Sequence, residues 1–105
     1  MKPDLEKDLL SNQTILDKCQ NSAVYSQNLY AALCNNRFFY GKEEWTCSWR
    51  MSGAIIADIR NYGEDYIHWY CSGMINADGY VSESVVTDEI RLDLAKIGWT
   101  VKPYE

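Results

Sequence analysis

TDEIRLDLAKIGWTV, residues 87–101, is the stretch that decides the fold class, because it predicts a helix followed at once by a strand. Thr87 belongs to the residue types that cap helix starts, and Gly98 suits the left-handed turn at which many helices end. Between them, apolar residues recur at helical spacing: Ile90, Leu94 and Ile97. Trp99 and Val101 then alternate with polar residues, which is typical of a strand. The stretch therefore combines both kinds of secondary structure.

The clearest strand pattern lies further upstream, in EEWTCSWR, residues 43–50. Its side chains alternate, so Trp45, Cys47 and Trp49 are predicted on one face of a strand, opposite a more polar face. Because the apolar face of a half-buried strand packs against the core, Cys47 is predicted to be a buried and reduced thiol.

Between this strand and the last helix, the sequence predicts one more helix and one more strand. Residues 52–63 have apolar side chains at helical spacing, with Ser52 as the predicted N-cap and Gly63 as the stop. DYIHWYCSG, residues 65–73, alternates again and predicts a second strand.

The first 36 residues contain no strand signal, and they predict two helices. The first is kinked near Asn12, and the second begins after Ser22 and runs to about Asn36, before a turn at Gly41. The order of elements is then two helices followed by β-α-β-α-β. We therefore predict a single α+β domain over residues 1–105, in which helices cover a small, mostly antiparallel sheet.

Charge and hydropathy argue against several classes of function. Fifteen acidic residues against ten basic ones give a net charge of −5 and a pI near 4.8. This balance argues against direct nucleic-acid binding, since such proteins gather Lys and Arg, and it favours a partner with a basic surface. No apolar run approaches the roughly 20 residues of a membrane-spanning helix, and the first residues lack a signal-peptide pattern. A cytoplasmic location without membrane contact is therefore expected.

The sequence contains no motif for catalysis, metal binding or cofactor binding. The four cysteines include no C-x-x-C pair and His68 is the only histidine, so zinc sites and most catalytic triads lack support. A Cys–His pair would need Cys47 or Cys71, and both are predicted on apolar strand faces where a thiol is shielded. Phosphate-binding loops and hydrolase or calcium-binding motifs are missing as well. No catalytic residue, metal or cofactor is predicted.

Aromatic residues are unusually frequent, with eight tyrosines and four tryptophans, and they suggest where a partner binds. Tyr and Arg are common interface anchors, so the strand face left uncovered by helices is the first candidate. A second candidate is the acidic, glycine-containing stretch from residue 78 to residue 89. The predicted partner-binding residues of the two surfaces are Arg50, Tyr66, His68, Tyr70, Asp78, Glu83, Asp88 and Glu89. Thr46 and Ser48 are predicted to share the first surface.

Four short patterns, CSWR, ADxR, WYCSG and TDEIxxDLxxxGW, follow one another between about residues 32 and 99. In this combination the chain resembles short accessory proteins encoded by tailed bacteriophages. Small acidic phage proteins resemble, as a group, inhibitors of host defence such as anti-CRISPR proteins. The resemblance implies a non-enzymatic inhibitor in the host cytoplasm that binds a host protein or nucleoprotein complex with a basic surface.

Two other functions stay open at this stage. The chain could bind or degrade a small molecule or a nucleotide signal in a pocket between its helices and its aromatic strands. It could also be a self-assembling structural protein, because a short terminal strand at a sheet edge can pair with the same strand of a second copy in a homodimer.

Overall fold

The structure, a computed structural model, describes residues 3–60 and 86–104, without the side chains of residues 49 and 50. In these ranges helices pack on a three-stranded antiparallel sheet, so the predicted α+β class is confirmed. The predicted strand over residues 65–73 and the predicted helix stop at Gly63 lie outside the described residues.

The N-terminal segment breaks into separate helices where polar side chains cap new helix starts. Helix α1 (Leu5–Leu10) ends at Ser11, and α2 (Gln13–Asn21) begins after Asn12. The Asn12 Oδ1 accepts a hydrogen bond of 3.0 Å from the backbone N–H of Ile15. What the sequence predicts as a kinked helix is therefore two helices, because this side chain competes with the continuing helical backbone.

Helix α3 (Ala23–Asn35) begins where the sequence predicts it. The Ser22 Oγ caps it by accepting a 3.1 Å hydrogen bond from the N–H of Tyr25. Strand β1 (Asn36–Tyr40) follows directly and has no counterpart among the predicted strands. The turn after it lies at Gly41, whose φ of +63° places it in the left-handed region that favours glycine.

The predicted strand over residues 43–50 is wrong beyond residue 45. Strand β2 comprises only Glu43–Trp45, and helix α4 comprises Trp49–Arg60. The reason is Ser48, whose Oγ accepts a 3.1 Å hydrogen bond from the N–H of Met51, as a helix cap does. Ser52 is thus not the N-cap but a buried residue inside α4, where its Oγ donates to the Ser48 carbonyl at 2.9 Å.

The C-terminal prediction is confirmed. Helix α5 (Asp88–Lys96) begins after Thr87, whose hydroxyl accepts a 3.3 Å hydrogen bond from the N–H of Ile90. Gly98 has a φ of +91° and leads into strand β3 (Trp99–Pro103). The left-handed glycine reverses the chain so that the strand turns back toward the sheet.

The sheet has the order β2-β1-β3, and both pairs of strands are antiparallel. Phe38 at its centre pairs with Trp45 on one side and with Val101 on the other. Since residues directly opposite each other share a face, this row packs together against the helices. Fully buried large side chains fill the space between helices and sheet: Leu5, Leu9, Ile15, Leu29, Tyr30, Leu33, Phe38, Ile55, Ile56, Ile59 and Trp99.

Long-range polar contacts join elements that are far apart in the sequence. The Trp99 indole Nε1 donates a 2.7 Å hydrogen bond to the Asp8 Oδ2, which joins β3 to α1. The Arg60 guanidinium donates at 3.1 Å to the Cys19 carbonyl and at 2.6 Å to the Ser26 Oγ. Within the described ranges, no helix has the length and apolar character needed to cross a membrane.

Candidate functional site

Most of the predicted partner-binding residues lie outside what the structure describes. This holds for Tyr66, His68, Tyr70, Asp78, Glu83 and the side chain of Arg50. Asp88 and Glu89 are described, and both are exposed in the first turn of α5. The predicted strand face that joins Thr46 and Ser48 to residue 50 does not form, because β2 ends at Trp45 and Ser48 caps α4.

Glu89 belongs to a charged cluster that joins three helices. The Lys18 Nζ on α2 lies 3.0 Å from the Glu89 Oε2 and 2.8 Å from the Asp93 Oδ2, both on α5. The Tyr25 hydroxyl on α3 donates a 2.8 Å hydrogen bond to the same Asp93 oxygen. Asp93 is only 4% exposed, so the three helices are joined through a buried carboxylate at the inner end of the cluster.

The protonation states in this cluster support a structural role. Burial, and then the hydrogen bond to Asp93, raise the pKa of Tyr25 well above its ordinary value. The hydrogen bonds to Asp93 and Glu89 raise the pKa of Lys18. At neutral pH the tyrosine therefore keeps its proton and the lysine its charge, which suits donors to a carboxylate and does not suit an acid–base catalyst.

A cleft of about 370 Å³ opens beside the cluster. Its lining residues come from α2, α3 and α5: Asp17, Lys18, Asn21, Ser22, Tyr25 and Glu89. Two carboxylates surround its one ammonium group, and that ammonium group is already paired twice. A phosphate-bearing ligand would therefore meet net repulsion here.

A larger groove, of about 540 Å³, lies between the start of α1 and the β2–α4 connection. We call it the Trp45 groove and define it by its lining residues: Pro3, Asp4, Glu6, Trp45, Thr46, Cys47, Ser48 and Met51. Its two walls differ in chemistry. The α1 wall bears carboxylates, and the opposite wall bears an indole, a thioether and small polar groups.

The Trp45 ring is held in place from behind by two other rings. Its centroid is 6.0 Å from that of Phe38 and 6.3 Å from that of Trp99, and both contacts are edge-to-face. The ring is half-buried, so part of it faces the groove. Met51 beside it is 48% exposed. A rigid aromatic surface next to a flexible thioether is typical of binding anchors.

The acidic wall carries charge that the described residues do not neutralise. Burial raises the pKa of Glu6, and repulsion from Asp4 and Asp58 raises it further. In residues 3–60 and 86–104, ion pairs involve Lys18 and not these three carboxylates. Negative charge is therefore concentrated at one edge of an aromatic groove.

The thiol at the floor of the groove is protected. The Cys47 Sγ lies 3.0 Å from the Ser52 Oγ and 3.8 Å from the Leu33 carbonyl, and burial raises its pKa to about 11. Burial raises the pKa of Cys19 to about 12. Both thiols stay protonated at neutral pH and are poor nucleophiles. Among the described residues, no group of three His, Cys, Asp or Glu side chains is arranged to hold a metal.

The outward face of the sheet has mixed charge, since Glu44 lies directly opposite Phe39 there, beside two cations. Phe39 lies beneath the Arg37 guanidinium, at 5.5 Å, and the Lys102 ammonium, at 5.0 Å. These cation–π contacts engage both cations with the chain's own ring. The carboxylates of the Trp45 groove thus belong to the start of α1, while Glu43 and Glu44 are further exposed acids on β2.

Comparisons with protein-family models, with curated proteins and with solved structures find no match to this chain. The resemblance to phage accessory proteins and the anti-CRISPR-type function therefore stay predictions. The acidic wall is a site that sequence reasoning missed, although the acids at positions 4, 6 and 8 give a local signal. The proximity of Asp4 and Glu6 to Trp45 depends on how α1 packs against α4, which no local pattern reports.

Proposed function

We propose that this chain is a non-enzymatic, phage-type inhibitor that binds a host defence complex through an acidic and aromatic surface. The observation that carries the proposal is the Trp45 groove, where an indole anchored by two rings faces carboxylates without a basic partner among the described residues. Repulsion between unpaired carboxylates raises the free energy of the isolated protein. A cationic partner would offset this repulsion on binding, which favours the complex.

The charge of the whole chain supports a basic partner. A net charge of −5 steers the chain toward a positive surface and speeds the encounter at low ionic strength. Defence nucleases need such surfaces because they must hold nucleic-acid phosphates. The sequence resemblance to phage accessory proteins is the support for choosing a host defence complex among basic partners.

A nucleotide-binding function has weaker support from the two cavities described above. Carboxylates line both, and phosphate groups would be repelled in each. The shielded thiols Cys19 and Cys47 give no support to a nucleophilic mechanism. Binding by surface complementarity therefore accounts for more of the observed features than a reaction does.

A titration against a purified defence nuclease complex tests the proposal. The complex is held at a fixed concentration well above the expected Kd, and its binding to labelled target DNA is followed as the full chain is added. A binding inhibitor reaches full effect near one chain per complex, whereas an enzyme that degrades a component or a signal acts at much lower ratios. Inhibition far below stoichiometry, or none with any basic-grooved complex of the host, would contradict the proposal.

Salt dependence provides an independent check of the charge argument. Association of the chain with the complex should slow as ionic strength rises, because screening shortens the reach of exposed charges to roughly 3 Å at 1 M salt. Light scattering of the chain alone accompanies this measurement, since a stable homodimer would favour the self-assembly function instead. An association rate that ignores salt would refute electrostatic steering.

A further inference from the structure

We infer that the Trp45 groove receives an arginine side chain of the partner, with its guanidinium against the Trp45 indole and facing the carboxylates of Asp4 and Glu6. This inference rests on the proposed function and names the chemistry by which that function recognises its partner. It commits to a protein partner, because the groove offers carboxylates where nucleic acid would need cations.

The size of the groove suits a single extended side chain with its flanking backbone. Its volume of about 540 Å³ lies within the roughly 300–1,000 Å³ typical of ligand sites. It is open along one side, so a side chain can enter while the partner's backbone stays at the surface. Thr46 and Ser48 at the rim supply hydroxyl groups for polar contacts with that backbone.

The indole wall suits a delocalised cation. Tryptophan is the strongest aromatic partner for cations, and the edge-to-face contacts with Phe38 and Trp99 fix the ring before binding. Little conformational freedom is then lost on association. Met51, 48% exposed at the same wall, has a flexible side chain that can pack along the aliphatic part of an arginine.

The carboxylate wall supplies the charge that such a cation needs. Asp4 accepts a 3.2 Å hydrogen bond from the backbone N–H of Lys7 through Oδ1, which fixes its side chain at the start of α1. Repulsion from Asp4 and Asp58 contributes to the raised pKa of Glu6, and a cation in the groove between Asp4 and Glu6 would offset that repulsion. The site is thus electrostatically prepared for positive charge.

Arginine fits these two walls better than lysine does. Its planar guanidinium can stack on an indole and present N–H donors in its own plane to carboxylates at the same time. It is also less strongly hydrated than an ammonium group, so entering a partly apolar groove removes less hydration. Lysine provides only a point charge and would use one wall at a time.

The test uses the full chain and three capped peptides, Gly-Gly-X-Gly-Gly, in which X is arginine, lysine or the uncharged arginine analogue citrulline. Binding is followed by the NMR shift of the Trp45 indole N–H, assigned by comparison with a Trp45→Phe variant. We expect the arginine peptide to bind with millimolar affinity, the lysine peptide several-fold more weakly, and the citrulline peptide not measurably. Equal shifts with arginine and citrulline, or no shift of the Trp45 indole N–H with the arginine peptide, would overturn the inference.

Matched variants locate the charge that matters. Glu6→Gln should weaken arginine-peptide binding up to about fivefold, as expected when a solvent-exposed ion pair worth up to about 1 kcal/mol is lost. Glu43→Gln removes the same charge from the exposed strand β2, outside the groove lining, and should leave binding unchanged. If both substitutions weaken binding equally, the change in net charge explains the effect and the site is refuted.

A stability measurement separates binding from folding in these variants. Because burial and neighbouring carboxylates raise the pKa of Glu6, its charge is unfavourable in the free protein, and Glu6→Gln should raise the midpoint of thermal unfolding. A variant that is more stable yet binds less cannot owe its loss to unfolding. If the arginine peptide fails to bind while the chain still inhibits the nuclease complex stoichiometrically, this inference falls and the proposed function stands.

Discussion

Replacing Asp93 by alanine should strongly destabilise the protein, because this carboxylate joins three helices. Its Oδ2 accepts from the Tyr25 hydroxyl and pairs with the Lys18 ammonium, each at 2.8 Å. Asp93 is 4% exposed, so water cannot simply replace the lost acceptor. The variant therefore leaves a buried hydroxyl without its partner.

The magnitude follows from the two contacts taken separately. A buried hydroxyl left unsatisfied costs about 1–3 kcal/mol. The Lys18 side chain is 32% exposed and keeps Glu89, so loss of its ion pair adds only about 0–1 kcal/mol. We expect Asp93→Ala to lower the free energy of unfolding by about 1–4 kcal/mol, a large part of the roughly 5–15 kcal/mol of a typical domain. The midpoint of thermal unfolding should fall by roughly 4–8 °C for each kcal/mol lost.

Urea unfolding followed by circular dichroism measures this change, with Leu92→Ala as the control. Leu92 lies one residue away on α5 and is 62% exposed, so its truncation should change stability by less than about 0.5 kcal/mol. Asp93→Asn keeps an acceptor oxygen for Tyr25 and should lose only about half as much as Asp93→Ala. If Asp93→Ala is no less stable than the Leu92 control, the cluster does not tie the helices together.

Three further predictions test other parts of the structure. Burial raises the pKa of Tyr25 above 10.0, so the contribution of its protonated hydroxyl to stability is complete below about pH 10 and is lost at higher pH. In urea unfolding at a series of alkaline pH values, Tyr25→Phe should therefore show a smaller fall of the free energy of unfolding with pH than the unchanged protein. Gly98→Ala should cost about 1–3 kcal/mol in urea unfolding, because φ is +91° and the new Cβ would lie 2.7 Å from the Tyr40 ring. Gly41→Ala is the control for Gly98→Ala, since it has a similar backbone penalty but its new Cβ would have no atom within 4 Å. Equal losses of stability in the two variants would show that the contact with Tyr40 costs nothing. The pKa of Cys47 is about 11 instead of 9.0, so iodoacetamide at pH 8 should alkylate it roughly 100-fold more slowly in the folded chain than in urea. Mass spectrometry measures the two rates, and similar rates would contradict the burial of this thiol.

The sequence predicts best those elements whose signals are local. Thr87 and Gly98 mark the ends of α5, and both act through hydrogen bonds or backbone angles within a few residues. The same locality explains the success at Ser22. The error at residues 46–50 arose because two local signals compete there. An alternating aromatic pattern favours a strand, while Ser48 caps a helix. Packing of the apolar face of α4 against α2 and α3 stabilises the helix over the strand.

Strand β1 shows the complementary limit, because its stability comes from distant residues. Phe38 pairs with Val101, more than 60 positions along the chain, and NRFFY, residues 36–40, ends in three successive aromatic residues instead of alternating. The cluster at Asp93 follows the same rule, since Lys18 reaches it across 75 positions. Sequence reasoning assigned Asp88 and Glu89 to a partner-binding surface, and the pairing of Glu89 with Lys18 follows only from the packing of α2 on α5.

Two groups of carboxylates on one small scaffold are treated in opposite ways, and the contrast is informative about function. On α5, Glu89 and Asp93 both pair with the Lys18 ammonium group, so their charge is partly neutralised within the fold. On the α1 side, Glu6 is repelled by Asp4 and Asp58, and no lysine or arginine among the described residues pairs with them. An acidic chain that needed charge only for solubility would gain by spreading it over its surface. Under the proposed function, the repulsion among these carboxylates beside an anchored indole would be offset when a cation of the partner enters the Trp45 groove.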